Sequence, residues 1–130
     1  MSTTVLLDTC AFIWLTQEPG KLSTASIAAI NDPSNILILS HVSAWEIHLK
    51  HHAGKLRLPD PPRQWIPEQL AMWRIGQREI TLQAIQRTSD LPDIHRDPFD
   101  RLLIAQALEE GWSIISPDPF FPAYGVALVW

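Results

Sequence analysis

Short, almost uninterrupted apolar runs alternate along the chain with longer stretches in which apolar and polar positions mix. The apolar runs predict strands at residues 4–8 (TVLLD), 36–40 (ILILS), 113–116 (SIIS) and 126–129 (VALV). The mixed stretches predict helices at residues 11–15, 25–30, 42–52, 65–75, 82–88 and 98–111, with an extended or looped segment at 56–62. Because strands as apolar as these are typical of sheets covered on both faces, the pattern predicts an α/β sandwich around a mostly parallel sheet.

Length and composition predict one globular domain that spans residues 1–130. Hydrophobic residues make up 46% of the chain and charged residues 18%, which excludes a disordered tail. The net charge of −4 argues against a protein that holds nucleic acid by bulk electrostatic attraction. A nuclease that acts through metal ions at a local acidic site is compatible with this charge.

The sequence favours a cytoplasmic location. No apolar run approaches the ~20 residues of a membrane span, and even LLDTCAFIWL is interrupted by Asp8. The N-terminal segment lacks the basic and then apolar pattern of a secretory signal. The single cysteine, Cys10, cannot form an internal disulfide, which suits a reducing compartment.

Four carboxylates follow predicted strands in a way that would bring them together. In an open parallel sheet, ligands bind beyond the carboxyl ends of the strands. Asp8 ends the first predicted strand, and Asp118 follows the strand at 113–116. Glu46 lies one turn into the helix after the second strand, and Asp100 lies in the first turn of the helix that follows Asp97. We therefore expect Asp8, Glu46, Asp100 and Asp118 to face one rim of the sheet.

Most of these acidic residues also have an ordinary structural interpretation. Asp97 precedes a proline suited to the first helical position, so it is interpreted first as an N-cap. Asp100 could complement the dipole of the same helix. Ser43 and Glu46 have the spacing of a capping box. Asp118 could be a turn residue between two prolines.

Asp8 is the carboxylate that such interpretations explain least. Aspartate is depleted in strands, and no lysine or arginine is near it in the sequence to neutralise it. Two carboxylates about 6 Å apart repel by roughly 3 kcal/mol at an effective dielectric constant of 20. Protons could relieve part of this repulsion, and Mg²⁺ or Mn²⁺, which prefer oxygen ligands, would relieve it more completely. The CxxC and HExxH patterns of zinc sites are absent from the sequence.

Four segments carry a resemblance to a known family: LLDTCAFIWL, SHVSAWEI, HRDPFDRLLIAQA and ISPDPFFPAYGV. In their order and spacing they resemble a PIN domain of the VapC toxin type, and DPFDRLLIAQA is the most specific piece. The resemblance implies a three-layer α/β/α sandwich. It also implies a metal-dependent ribonuclease, the toxin of a type II toxin–antitoxin pair, which hydrolyses RNA phosphodiester bonds with a metal-activated water. The implied partners are a second copy in a homodimer and a VapB-like antitoxin whose tail covers the acidic groove.

The resemblance also implies roles for individual residues. The acidic residues that it places at a catalytic site for Mg²⁺ or Mn²⁺ are Asp8, Glu46, Asp100 and Asp118, a set that suits one ion or two. Thr9 matches a position where a hydroxyl supports the site, and Ser116 stands where many relatives carry threonine. Asp97 belongs to the recurrent DPFD string, which leaves a secondary role near the metal open.

Basic residues near these acids are candidate RNA contacts: Lys50, Lys55, Arg57, Arg63 and Arg101. Each could instead be a solvated surface residue, and Arg101 could pair with an acid. The five histidines need no catalytic role in this mechanism. His48 and His52, four residues apart, are disfavoured as a metal pair because the acids already account for a cation. The six tryptophans favour core and interface packing over base stacking.

Other function classes fit the sequence less well. A phosphotransfer enzyme of the haloacid-dehalogenase type needs a second aspartate two positions after the first, where this chain has Cys10. A response-regulator receiver needs a lysine late in the chain, and none follows Lys55. Two alternatives stay open: a PIN-fold RNA- or protein-binding module without catalytic activity, and an assembly partner whose tryptophans mark an interface.

Overall fold

A five-stranded sheet forms the centre of the computed structural model, which describes residues 2–130. Its strands are β1 (Thr3–Leu7), β2 (Asn35–Ser40), β3 (Gly76–Arg78), β4 (Ser113–Ile115) and β5 (Leu128–Val129). Their spatial order is β3-β2-β1-β4-β5, and every neighbouring pair is parallel. Because β1 is the middle strand, the residue that follows it, Asp8, lies at the centre of the carboxyl edge of the sheet.

The connections between the strands contain α-helices. These are α1 (Thr9–Gln17), α2 (Thr24–Asn31), α3 (His41–His52), α4 (Pro62–Trp73), α5 (Leu82–Arg87) and α6 (Pro98–Glu110). Short 3₁₀ turns cover Pro19–Lys21, Thr88–Asp90 and Phe121–Tyr124. Over residues 2–130, no helix is both long enough and apolar enough to cross a bilayer.

Helices pack on both faces of the sheet, which produces the three layers α/β/α. Successive side chains of a strand point to opposite faces. Accordingly, Leu7 of β1 packs in a cluster with Phe12 of α1 and Trp65 of α4, whereas Leu6 packs in a second cluster with Leu103 of α6. The prediction of an α/β sandwich around a parallel sheet, and of the three layers that the resemblance implies, is confirmed.

The strand β3 is absent from the sequence prediction, and the predicted end of the preceding helix is wrong. The helix was expected to reach residue 75, but α4 ends at Trp73 because Arg74 adopts a left-handed conformation with φ of 54°. The chain then turns into β3, which pairs with β2 and forms one edge of the sheet. A strand of three residues, Gly-Gln-Arg, carries no apolar run by which a sequence pattern could identify it.

Other boundaries differ by one to three residues. The helix α1 begins at Thr9 and not at residue 11, because the Asp8 carboxylate accepts a hydrogen bond from the Ala11 amide and caps it. Likewise α4 begins at Pro62 and not at residue 65, and β5 covers only the second half of the predicted strand. The N-cap prediction for Asp97 is confirmed, since its Oδ1 accepts a hydrogen bond from the Phe99 amide at 2.8 Å.

Most of the tryptophans pack against other side chains, as the sequence predicts. Trp65 is buried and meets Phe12 edge to face, with ring centroids 5.7 Å apart. Trp14 packs against Trp130 at 5.8 Å. Trp45 is the most exposed tryptophan, with 57% of it exposed although its ring contacts the ring of Phe99. Its exposure leaves this tryptophan available for an interface.

Candidate metal centre

A cleft of about 350 Å³ opens where β1 ends. Four carboxylates line it: Asp8 after β1, Glu46 on α3, Asp97 at the N-cap of α6, and Asp100 in its first turn. The other lining residues are Thr9, Cys10, Ile13, Trp14, Lys50, Lys55 and Leu56. The structure thus brings together three of the four acids that the sequence places at one rim, and it adds Asp97.

A larger groove of about 440 Å³ lies along α5 and α6, but fewer carboxylates line it. Its lining includes Asp90 and Glu109. Glu109 is already paired with Arg87, whose Nη1 lies 2.7 Å from the Glu109 Oε2. The cleft at the end of β1 is therefore the candidate site.

The Asp8 carboxylate is almost fully buried, with 5% of the residue exposed. Its Oδ1 accepts a hydrogen bond from the Ala11 amide at 2.7 Å. Burial raises the pKa of Asp8 to about 7, and the charges of Asp100 and Glu46 raise it further. Hydrogen bonds from the Ser116 hydroxyl and the Ala11 amide oppose this rise without cancelling it. Ser116 thus favours the charged form of this carboxylate.

Glu46 is buried, and neighbouring side chains hold both of its oxygens. The Thr9 hydroxyl donates to Oε1 at 2.6 Å and lies 2.9 Å from the Ser43 hydroxyl. The Lys50 ammonium pairs with Oε2 from one turn further along α3. The interpretation of Ser43 and Glu46 as a capping box is wrong, because the N-cap of α3 is Ser40. The Ser40 Oγ accepts a hydrogen bond from the Val42 amide at 3.1 Å. Inside the helix, Glu46 is free to face the cleft.

Asp100 is half-buried and lies between several other charged groups. Burial raises its pKa to about 6, and the neighbouring charges of Asp97, Glu46 and Asp118 raise it as well. The charge of His95 opposes this rise. Asp100 therefore interacts both with acids of the cleft and with Asp118.

Asp118 is not among the residues that line the cleft, but it lies close to Asp100. Its Oδ2 lies 2.7 Å from the His95 Nε2, and its Oδ1 accepts a hydrogen bond from the Phe120 amide at 2.9 Å. One ligand atom from each of His95, Asp100 and Asp118 lies within 4.8 Å of the other two. His95 has no role in the mechanism that the sequence predicts. Its only signal in the sequence is its position two residues before Asp97 in the HRDPFD segment.

The basic residues that the sequence proposes for RNA divide into groups. Lys50 and Lys55 line the cleft, and Lys55 is exposed. Arg57 and Arg63 are exposed but lie outside the cleft lining. Lys55 is therefore the basic residue best placed to contact a phosphate without first leaving an acidic partner.

Arg101 does not occupy the position expected of an RNA contact. Its guanidinium donates hydrogen bonds to the backbone carbonyls of Pro92 at 2.7 Å, Thr88 at 2.8 Å and Leu91 at 3.3 Å. These bonds tie the segment before α6 to the helix itself. They give Arg101 a structural role and take it out of the candidate RNA-contacting set.

The same chain matches known proteins along nearly all of its length. The PIN domain family matches residues 5–126. Ribonuclease VapC22 of Mycobacterium tuberculosis is 31% identical over 119 residues, which cover 89% of this chain and 88% of that protein.

Solved structures share the fold at low sequence identity. VapBC-1 from nontypeable Haemophilus influenzae superposes with a TM-score of 0.70 at 14% identity, covering 97% of this chain and 96% of that one. A toxin–antitoxin complex from Klebsiella pneumoniae gives a TM-score of 0.61 at 15% identity, covering 97% and 96%. The family match, the curated relative and the shared fold agree: the chain belongs to the PIN-domain family and is a relative of the VapC ribonucleases.

Proposed function

We propose that this protein is a metal-dependent endoribonuclease and the toxin of a type II toxin–antitoxin pair. The observation that carries the proposal is the convergence of Asp8, Glu46 and Asp100 on one cleft, with Asp118 beside Asp100. This arrangement occurs in a chain that is 31% identical to a ribonuclease over most of its length.

The donor atoms of the site suit a hard divalent cation. Carboxylates crowd the cleft, and their burial and mutual repulsion raise the pKa values of Asp8 and Asp100, so a cation would relieve an existing electrostatic cost. In our proposal Asp8, Glu46 and Asp100 hold Mg²⁺ or Mn²⁺, and Asp118 completes the site directly, through water or through a second ion. When bound, such an ion lowers the pKa of water and offsets negative charge on the phosphate.

The protein's own side chains orient the ligands. Thr9 and Lys50 fix the two oxygens of Glu46, and the Ala11 amide and Ser116 fix Asp8. Because the pKa of Asp8 is about 7, this carboxyl holds a proton part of the time at neutral pH and must release it when a cation binds. Cation affinity should therefore increase between pH 6 and pH 8, as the proton is lost more readily.

Cleavage of total cellular RNA in EDTA, Mg²⁺ or Mn²⁺ tests the proposal. We expect discrete fragments from the wild type only when metal is present, and no fragments from the Asp8→Asn variant. Asp93→Asn is the matched control, because Asp93 is an exposed turn residue outside the cleft. Metal-independent fragments, or cleavage that survives in Asp8→Asn, would refute this assignment.

The alternative is a PIN-fold module that binds RNA or protein without cutting it. The experiment separates the two functions: RNA that binds the folded, antitoxin-free protein and stays intact with either metal would favour the module. The grouping of the other three predicted acids, Asp8, Glu46 and Asp118, with Asp100 supports the enzyme.

Lys55 is expected to contribute a phosphate contact at the rim of the cleft. Lys55→Ala should weaken binding of all RNA sequences alike and reduce the slope of log affinity against log salt by about 1. Fluorescence anisotropy of labelled RNA, measured in the Asp8→Asn background to prevent cleavage, would give this slope. Arg87→Ala removes the same charge from the groove along α5 and α6, and an equal slope change in that control would remove Lys55 from the proposal. Arg57 and Arg63 stay candidates for flanking contacts.

We further propose the setting in which the enzyme works. A VapB-like antitoxin is the proposed partner, since a solved structure with this fold is a toxin–antitoxin complex. A homodimer is proposed from the family resemblance, and a cytoplasmic location from the free thiol of Cys10. The single sheet and the family match over residues 5–126 support one PIN domain over residues 1–130.

A further inference from the structure

His95 is held in one orientation by residues that follow β4. Its Nδ1 lies 2.7 Å from the Tyr124 hydroxyl, which also accepts a hydrogen bond from the His95 amide at 2.7 Å. The ring meets that of Phe121 edge to face, with centroids 5.4 Å apart. Because Tyr124 occupies Nδ1, the other ring nitrogen, Nε2, is directed toward Asp118. A histidine that binds a metal through one nitrogen is usually held at the other in this way.

The spacing around Nε2 suits a shared cation. Two ligand atoms that each lie about 2.1 Å from an ion, at right angles, are about 3.0 Å apart. The His95 Nε2 and the Asp118 Oδ2 are 2.7 Å apart, so they need to separate by only a few tenths of an ångström. An oxygen of Asp100 completes a group of three within 4.8 Å.

We propose that His95, Asp100 and Asp118 form a cation position with one nitrogen ligand, which makes the centre prefer Mn²⁺ to Mg²⁺. This inference rests on the proposed function, because Asp100 also belongs to the acidic cleft. Mg²⁺ binds oxygen ligands and keeps its water, whereas Mn²⁺, which also binds carboxylates, accepts an imidazole nitrogen more readily than Mg²⁺ does. An entirely carboxylate centre would lack this source of preference.

Pulsed electron paramagnetic resonance of the full chain with one equivalent of Mn²⁺ tests the nitrogen ligand directly. We expect a ¹⁴N coupling in the wild type that is lost in His95→Gln, a variant whose side-chain amide can still donate a hydrogen bond to Asp118. His48→Gln is the matched control, because His48 is exposed on α3 and is not among the cleft residues. Its spectrum should keep the coupling.

Calorimetric titration of the same three proteins with Mn²⁺ and with Mg²⁺ supplies a second readout. In His95→Gln, Mn²⁺ affinity should fall by about tenfold or more and Mg²⁺ affinity much less, so the preference disappears. Equal losses for both ions would mean that His95 only positions Asp118, and absence of ¹⁴N coupling in the wild type would likewise overturn the proposal.

The outcomes also separate this inference from the proposed function. RNA cleavage by wild type with a Mn²⁺ spectrum free of nitrogen coupling would overturn the histidine ligand and leave the ribonuclease intact. Conversely, nitrogen-coordinated Mn²⁺ in a protein that cuts no RNA would support the cation position and overturn the ribonuclease.

Discussion

Asp100→Asn is expected to reduce the rate of metal-dependent RNA cleavage by roughly 10³-fold or more. Asp100 is the carboxylate shared by the two parts of the site: it lines the cleft with Asp8 and Glu46, and it belongs to the group with His95 and Asp118. Losing its charge would weaken cation binding on both sides, and the several kcal/mol that a catalytic ion supplies correspond to about three powers of ten in rate. Single-turnover cleavage of a defined RNA, at a Mn²⁺ concentration that just saturates the wild type and is the same for both proteins, measures this effect.

The Asp100→Asn variant should still fold, so a loss of cleavage rate can be assigned to the metal centre. Removing the charge from the first turn of α6 costs about 0.3–1 kcal/mol of helix-dipole interaction, and it also relieves repulsion with Asp97, Glu46 and Asp118. Asp93→Asn again serves as the control, and it should cut RNA at the wild-type rate. A folded Asp100→Asn protein with a rate within threefold of wild type would exclude Asp100 from the centre.

The sequence predicts the interior of the fold better than its edge. The strands β1, β2 and β4 are buried apolar runs, so their hydrophobic pattern alone identifies them. The edge strand β3 depends on pairing with β2 and on the left-handed turn at Arg74, and neither leaves a hydrophobic pattern. The predicted end of α4 is wrong for the same reason, because the left-handed turn at Arg74 ends that helix.

The acidic residues of the site were predictable because each lies shortly after the end of a strand or near the start of a helix that the sequence identifies. Asp8 directly follows β1, and Asp100 lies one turn after the N-cap Asp97. The cap of α3 was misassigned because Ser40 and Ser43 both have suitable side chains, and only the position of the β2 end decides between them.

His95 was not predictable from the local sequence. Its contacts, with Asp118 and Tyr124, lie 23 and 29 residues away along the chain. They exist because the segment before α6 packs against the segment that follows β4. For Arg101 the local sequence was misleading. Its position next to Asp100 predicts a phosphate contact, but its guanidinium donates hydrogen bonds to backbone carbonyls within residues 88–92.

Without metal, the wild-type protein is expected to lose stability as the pH rises from about 4 to above 7. Burial raises the pKa of Asp8 from 3.8 to about 7, so the folded state binds a proton that the unfolded state has already released. The stabilisation from this proton is fully present below pH 3.8 and is lost as the pH passes about 7. The raised pKa of Asp100, about 6, acts in the same direction.

Asp8→Asn should remove the larger part of this dependence. The amide oxygen can still accept the hydrogen bond from the Ala11 amide, so the cap of α1 is kept while the buried charge is lost. At pH 8 in EDTA, we expect the variant to exceed the wild type in unfolding free energy by up to roughly 4 kcal/mol, the equivalent of the shift in the pKa of Asp8. At pH 4 the two proteins should be nearly equal.

Added metal should stabilise the wild type much more than Asp8→Asn and so narrow the difference between them, which distinguishes a binding site from a merely strained carboxyl. A cation that binds only the folded state stabilises it by RT ln(1 + [L]/Kd), about 2.7 kcal/mol at a hundred times Kd. Urea unfolding at pH 8 with and without Mn²⁺ should therefore show a large gain for wild type and little for Asp8→Asn. If the variant gained as much as wild type, the cation would bind elsewhere. If the variant were the less stable protein in EDTA at pH 8, the Asp8 charge would be stabilised by the fold itself, and the repulsion that a cation is proposed to relieve would not exist.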